Sequence, residues 1–182
     1  MLIASKDNRQ VYLRKLKSKD FDKLFIYLQH LSEDTKKRFG PHLFDRRSII
    51  DVYSNTYVYS GYIAIDIASE EIIAYAIIKI GYLEHDALRL QSYGVMLSNK
   101  TDCVFAPSVA DAWQGYGVGN SLFQFILYDL KATDVKRVIL WGGVQTDNEK
   151  AVNYYQRNGF KIVGQFYYNG GNYDMVLDVL EI

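Results

Sequence analysis

The sequence predicts an α/β fold built on one mixed sheet with helices on both faces. Three features carry this expectation. Strand-like runs come early, and strand, helix, strand, helix and strand then alternate toward the C-terminus. A glycine-dense turn, Gln114-Gly115-Tyr116-Gly117-Val118-Gly119, joins an apolar strand-like run to a helix-like run. The chain closes on Asn169-Gly170-Gly171-Asn172, a hairpin signal between two extended runs.

The elements follow in order. Val11 to Leu16 reads as the first strand. Ser18 is placed to cap a helix in which Phe21, Leu24, Phe25, Leu28 and Leu31 share one face at helical spacing. A polar break over Ser32 to Asp34 ends it, and a shorter helix covers Arg46 to Tyr53. Tyr57 to Ile67 and Ile72 to Ile80 are strands of a hairpin turned by Ala68-Ser69-Glu70-Glu71. Leu88 to Leu97 and Cys103 to Val109 read as extended. The helix over Asn120 to Lys131 buries Leu122, Phe123, Ile126, Leu127 and Leu130, and Arg137 to Val144 is a strongly apolar strand. Thr146 with Glu149 offers a capping box that starts the last helix. Asn158-Gly159 ends it in a left-handed turn, before final strands over Lys161 to Tyr168 and Tyr173 to Leu180.

Composition bounds the function. At 182 residues the chain is most simply one domain, 1–182, with no linker, repeat or low-complexity stretch. Its 21 basic residues balance 21 acidic ones, so no bulk field favours a polyanion and nucleic acid is not expected as a major ligand. Met1-Leu2-Ile3-Ala4 is too short for a signal peptide and no apolar run approaches a membrane span, so no membrane partner and a cytoplasmic location are expected. The lone Cys103 excludes an internal disulfide and reads as an inert buried thiol. His30, His42 and His85 share no ligand spacing with one another or with carboxylates, so no metal is expected.

The glycine turn is the segment richest in chemistry. Glycines between a strand and a helix start let backbone N–H groups approach an anion, and the helix N-terminus adds partial positive charge, so phosphate is the natural guest. A P-loop would need Gly-Lys-Ser/Thr, but Gly119 is followed by Asn120 and Ser121. A dinucleotide fingerprint would need its third glycine at Asn120. Taken alone, the segment also fits an ordinary glycine turn. The pattern that fits without gaps is Gln-x-x-Gly-x-Gly, with Val109 five positions before Gln114. It resembles the pyrophosphate-binding signature of the GNAT acetyltransferase superfamily. A second segment, Asn148-Glu149-Lys150-Ala151 through Tyr154-Tyr155 to Gly159-Phe160, is similar to that family's other hallmark.

The resemblance covers about Val11 to Leu180 and implies a mostly antiparallel, twisted sheet with splayed central strands. It implies an acyl-CoA-dependent N-acetyltransferase that moves an acetyl group from acetyl-CoA to a primary amine by direct attack. The acceptor is a small molecule or a protein amine, and a homodimer is left open. A non-catalytic acyl-CoA-binding or sensor domain of the same fold is the alternative. Residues Gln114, Gly115, Tyr116, Gly117, Val118, Gly119 and Asn120 then cradle the coenzyme diphosphate, with Gly117 and Gly119 keeping side-chain bulk away from it. Asn148 contacts the pantetheine arm or neighbouring backbone. The strand before the loop meets the thioester, and since Pro107 lacks an N–H, Ser108 or Val109 is expected to polarise the carbonyl. Tyr155 aligns with the tyrosine many relatives use as general acid toward the departing sulfur.

The general base is not legible. Some relatives place a glutamate where this chain has Cys103; Asp102 stands beside it with the opposite side-chain parity. Glu84, His85 and Asp86 lie in a long stretch, Gly81 to Asp102, where the acidic pair would suit a cationic amine. Asp111 is expected to cap the turn into the glycine loop. The acceptor site is expected from the first helices, the turn Arg38-Phe39-Gly40-Pro41-His42, this stretch and the last hairpin, with Tyr53, Tyr57, Tyr82, Tyr93, Tyr167 and Tyr168 as lining candidates.

Overall fold

A computed structural model describes residues 1–179. Leu2–Ala4 (β1) pairs antiparallel with Gln10–Lys15 (β2), Leu2 opposite Tyr12 and Ala4 opposite Gln10. Val11 and Leu13 are buried and Tyr12 is exposed, the alternation of a strand with one face on a core. Then follow Phe21–His30 (α1), Glu33–Arg38 (α2), Arg46–Ser54 (α3), Tyr59–Asp66 (β3), Ile72–Ile80 (β4), Glu84–Ser92 (α4) and Asp102–Val109 (β5). Val118–Leu130 (α5), Arg137–Leu140 (β6), Val144–Gln145 (β7), Glu149–Arg157 (α6), Lys161–Tyr167 (β8) and Gly171–Asp178 (β9) complete the described residues. The strands form one mixed, mostly antiparallel open sheet in the order β1-β2-β3-β4-β5-β6-β9-β7, with β8 paired to β9. The pair β5–β6 is parallel.

The backbone gathers into two compact units. The first comprises Met1–Ile78 and Ala106–Asp129. Its sheet carries helices on both faces, and two neighbouring residues of β3 show why. Tyr62 packs edge-on against Phe125 of α5 and donates to Asp129. Gly61, pointing the other way, lies beneath the Tyr53 hydroxyl of α3. Leu24, Leu28, Ile49, Ile63, Ile77 and Ile126 are buried between these layers. The chain enters α1 through a 3-10 turn, Ser18–Asp20, instead of a serine cap. Asp20 braces that turn: its carboxylate accepts from Lys17 N at 2.8 Å and from Arg14 through a two-toothed contact at 2.6 and 2.8 Å. The polar stretch from Ser32 is a helix start, since the Ser32 hydroxyl accepts from Thr35 N and caps α2.

The second unit comprises Lys79–Phe105 and the chain from Leu130 onward. Here the expected strand over Leu88 to Leu97 is instead the helix α4, followed by irregular chain. The apolar alternation misled because it was not a burial pattern: Leu88 is 84% exposed while Leu90 is 1% exposed. Leu83 and Leu90 face Val95, Val104, Ile139 and Val176 at helical spacing, and Ala-Leu-Arg-Leu-Gln is a strongly helix-favouring run. The apolar run from Arg137 is likewise two strands, broken over Trp141–Gly143, where Gly142 and Gly143 take φ values of 65° and 74°. A Cβ at Gly143 would lie 2.6 Å from the Tyr173 carbonyl oxygen, so the break requires glycine. β9 begins at Gly171, inside the expected turn, and Leu180 lies outside the described residues.

α4 is held to the final hairpin by buried charge. Arg89 grips Asp174 of β9 through Nε and Nη2 at 2.7 and 3.1 Å and reaches Asp86 at 2.7 Å. Both carboxylates are buried, and the guanidinium also covers the Phe166 ring at 3.7 Å. Asp86 is thus a structural partner and not a free acidic group for a cationic amine. One arginine compensates two buried carboxylates, so removing it is costly. Arg89→Met should lower the unfolding free energy by about 3 kcal/mol in urea titrations at neutral pH. Arg89→Met combined with Asp174→Asn should recover part of that loss; equal destabilisation in both variants would assign the cost to packing over Phe166.

Candidate functional site

The first unit builds the glycine loop from the end of β5 outward. Pro107 offers no N–H, and Ser108 carries the contact by its side chain. The Ser108 hydroxyl accepts from Tyr27 Oη of α1 at 3.0 Å and donates to the Tyr75 carbonyl of β4 at 3.4 Å. Just past the strand, Ala110 N donates to the Ile73 carbonyl at 2.8 Å. A 3-10 turn over Asp111–Trp113 leads into the loop. Gln114 then folds back, its Nε2 donating to the Val109 carbonyl at 3.2 Å and to Asp111 Oδ1 at 3.4 Å. The five-residue spacing between Val109 and Gln114 therefore has a mechanical meaning: the amide closes the turn onto the strand it leaves.

Gly115 and Gly117 both take φ of 87°, the left-handed region where an L side chain is strained. A Cβ at Gly115 would meet nothing within 4 Å, so conformation and not crowding demands this glycine and leaves open space before the backbone. α5 starts at Val118, two residues before the expected Asn120, so Val118, Gly119 and Asn120 form its first turn. The opening N–H groups of a helix lack intrahelical acceptors and face outward along the positive end of its dipole. The turn between β1 and β2 supports the loop from beside it. Lys6 N donates to the Tyr116 carbonyl at 3.0 Å, and the Arg9 guanidinium lies 3.4 Å from the Trp113 ring centroid and 4.9 Å from that of Tyr116.

Asp111 does not cap its own turn, whose N-cap is Ala110. Its carboxylate accepts from Ser32 N at 3.1 Å, Ser32 Oγ at 2.9 Å and Thr35 Oγ1 at 2.9 Å, tying the start of α2 to the loop's approach. Burial works against its charge, but the hydrogen bonds from Ser32 and Thr35 outweigh it and hold the carboxyl below its ordinary value.

In the second unit, Asn148 is the N-cap of α6, its Oδ1 accepting from Ala151 N at 3.3 Å. Thr146 instead donates its backbone N–H to the Gly171 carbonyl, so the capping role falls two residues later than the box predicts. Tyr155 is half-buried on α6, edge-on to Phe160 at 5.4 Å and to Tyr154 at 5.2 Å, and burial pushes its phenol up. Gly159, at φ of 88°, ends the helix as expected. Cys103 is fully buried and burial pushes its thiol up, in keeping with an inert core residue. Asp102 is buried too, accepting from Ser98 N at 2.7 Å.

The expected acceptor aromatics disperse. Tyr57 is 94% exposed, Tyr167 and Tyr168 are exposed at the last hairpin, and Tyr82 and Tyr93 pack on the core of the second unit. Tyr53 differs. It stacks on Phe21 at 5.7 Å, and its hydroxyl bonds that of Tyr75, which in turn meets His42 Nε2 at 3.0 Å. Sequence reasoning passed over Tyr75 and Tyr27, and dismissed His42 as a ligand without asking about protons. No sequence spacing links these residues; only the packing of α1, α3 and the chain after α2 on β4 brings them together.

The sequence model of the acetyltransferase (GNAT) family matches residues 25–160. The chain belongs to that family. No curated protein sequence matches it. Among solved structures it is similar to the GNAT domain of a PAT protein from S. lividans, at 17% identity and a TM-score of 0.76, covering 98% of this chain and 96% of that one. It is also similar to spermidine N-acetyltransferase from Vibrio cholerae in complex with CoA and spermine, at 19% identity and a TM-score of 0.67, covering 93% and 96%. A GNAT-family acetyltransferase from Streptococcus pneumoniae follows at 18% identity and a TM-score of 0.69, covering 91% and 97%. These likenesses show the shared fold. Among the described residues, no helix is long and apolar enough to cross a membrane.

The Asp111 tie gives a prediction with a defined sign. A carboxyl depressed in the folded state contributes stability that is present above its unfolded pKa, near ~3.9, and is lost as pH falls through the folded value. Asp111→Ala should cost about 1 kcal/mol at neutral pH, as loss of a helix-start acceptor does. The difference from wild type should shrink as pH is lowered through that window, read from urea unfolding at several pH values.

Proposed function

We propose that the chain is an N-acetyltransferase that moves an acetyl group from acetyl-CoA to a primary amine by direct attack, both units serving as one catalytic domain. The observation that carries this is the braced loop from Gln114 to Asn120, with left-handed backbone at Gly115 and Gly117 ahead of the N-terminus of α5. Such a loop suits a diphosphate: it supplies several N–H donors, open space before Gly115 and no competing carboxylate of its own. The CoA complex of a structural neighbour supports the same ligand.

Within this reading, Gln114 shapes the loop, while Gly115, Tyr116, Gly117, Val118, Gly119 and Asn120 offer backbone donors to the phosphates. Ser108 and Val109, at the end of β5, present backbone to the thioester. The Ser108 side chain is already engaged with Tyr27 and Tyr75, so its contribution to the thioester falls to its main chain. Asn148 has its side-chain oxygen engaged as a helix cap, so any contact to the pantetheine arm falls to its amide nitrogen or to neighbouring backbone. Tyr155 delivers a proton to the departing thiolate. Burial that holds its proton also raises a thiolate in similar surroundings, so the two stay matched.

Acetyl-CoA at a hundredfold excess over its dissociation constant should raise the unfolding free energy by about 2.7 kcal/mol. Gly117→Val, which places a branched side chain at φ of 87°, should abolish that shift. Absence of any shift in wild type with CoA or acyl-CoA would sink the proposal. Tyr155→Phe should leave the shift intact and lower turnover by roughly 10²–10⁴-fold in a free-thiol assay with a panel of amines. Full binding without turnover toward any amine would point to an acyl-CoA-binding domain instead.

A further inference from the structure

The first unit contains a buried chain of proton carriers with a fixed direction. His42 Nδ1 lies 2.8 Å from the Leu43 carbonyl, which can only accept, so Nδ1 holds the ring proton. Nε2 is then an acceptor and takes its hydrogen bond from Tyr75 Oη at 3.0 Å. With its own proton committed to His42, Tyr75 accepts from Tyr53 Oη. The chain thus runs from Tyr53 to Tyr75 to His42. Both imidazole nitrogens are engaged, and Nε2 receives its proton through the two phenols.

Tyr53 also lines a cavity of about 190 Å³ with Lys15, Leu16, Phe21, Thr56, Tyr59, Ser60 and Gly61. A cavity of roughly 150 Å³ holds a benzene ring, so this one is large enough for a single ring with a short arm. Among the described residues, no carboxylate lines it, and the Lys15 ammonium is paired with Asp129 at 2.8 Å. With the Thr56 and Ser60 residues beside apolar groups and no carboxylate among them, these walls suit a monoamine on an apolar body and offer no counter-ion to the further charges of a polyamine. Gly61 is fitted to the relay: a Cβ there would lie 2.6 Å from Tyr53 Oη and 2.8 Å from Leu16, yet its φ is not in the left-handed region. Glycine is needed for the phenol to pass over β3 and reach Tyr75.

We infer that the cavity beside Tyr53 receives a small apolar or aromatic primary amine, and that Tyr53, Tyr75 and His42 carry away the proton this amine must lose. The inference rests on the acetyl-transfer reading above. An N–H bond of the acceptor ammonium breaks and its electron pair stays on nitrogen for attack on the thioester carbonyl. The proton passes to Tyr53 Oη, Tyr53 hands its own to Tyr75, and Tyr75 hands its own to His42 Nε2, leaving an imidazolium that later loses its proton to water. The C–S bond breaks with its electrons on sulfur, which is protonated separately. Tyr53 touches the amine; Tyr75 and His42 are positioning residues that act through it. Ser108, bonded to the Tyr75 carbonyl, links the relay to the end of β5.

The ring's titratable surroundings are Tyr75 from β4, Tyr53 from α3 behind it, and Asp45 just before α3. Burial holds the imidazole below its ordinary value, against smaller opposing effects of the Leu43 carbonyl and Asp45, so it is neutral and ready to accept at neutral pH. An acid limb in kcat/KM is therefore expected below the ordinary histidine value of ~6.5.

Acetyl transfer to 2-phenylethylamine and to spermidine should be compared in wild type, Tyr75→Phe and His42→Gln. The expected result is a preference for 2-phenylethylamine, a loss of roughly 10²-fold in kcat in either variant, disappearance of the acid limb, and unchanged acetyl-CoA binding. In the ligand-free protein, the NMR titration of His42 should move upward in Tyr75→Phe, because the donor that favours the neutral ring is gone. Preference for spermidine overturns the assigned substrate class, and unaltered rates and pH profiles in both variants overturn the relay while acetyl transfer stands. A His42 titration unchanged by Tyr75→Phe overturns the relay whether or not any amine turns over. Failure to bind acetyl-CoA overturns the acetyl-transfer reading and this inference with it.

Discussion

The end of β5 is where side-chain hydrogen bonds from several elements converge, and much of the first unit is tied together at that junction. Pro107 removes a donor from the ladder, and an unpaired buried carbonyl costs about as much as a lost hydrogen bond. Side chains add bonds there. The Ser108 hydroxyl reaches the Tyr75 carbonyl, Tyr27 fixes the Ser108 hydroxyl, and Gln114 returns to the Val109 carbonyl. Each bond pulls in a different element: α1 through Tyr27, β4 through Tyr75 and the glycine loop through Gln114. Through these side-chain bonds the glycine loop is anchored to the end of β5 and to the elements beside it.

Electrostatics divide the polar residues into two kinds. Asp86, Asp174 and Arg89 are buried ions whose mutual attraction must offset a large desolvation cost, and they lock a helix to a hairpin. Tyr27, Tyr53 and Tyr75 are buried neutral hydroxyls, and burial raises all three. Raised phenols keep their protons, which makes them poor bases and good conduits. A group that is never ionised can pass a proton only while accepting another. That property suits the inside of a site better than a carboxylate, which would have to be desolvated and left unpaired.

Legibility followed the range of the interaction. The glycine loop, the C-terminal end of α6 and the closing hairpin were readable because their chemistry is local: left-handed positions require glycine, and such turns are set within a few residues. The family signature was readable for the same reason. Misreadings came where tertiary contact decided. Leu88 and Leu90 are equivalent in sequence, yet only Leu90 meets the core formed with Val104, Ile139 and Val176. Asp111 is next to the turn it was expected to cap, but α2 brings Ser32 and Thr35 closer to its oxygens. Thr146 and Asn148 are both acceptable caps, and pairing of Thr146 with Gly171 leaves Asn148 to take the role.

The same distinction explains why the proposed base was illegible while the proposed acid was not. Tyr155 sits inside a short, family-specific pattern on one helix, so its neighbours in sequence announce it. His42 has no such neighbours. Its tautomer is set by Leu43, its partner lies 33 residues away on β4, and the next phenol comes from α3. A base that works through relayed protons needs no motif, only an acceptor nitrogen with its other side blocked and a donor chain ending at a cavity. Gly61 is a local trace of this arrangement, a glycine with ordinary backbone angles whose missing side chain is explained by the Tyr53 phenol and Leu16 packed against it.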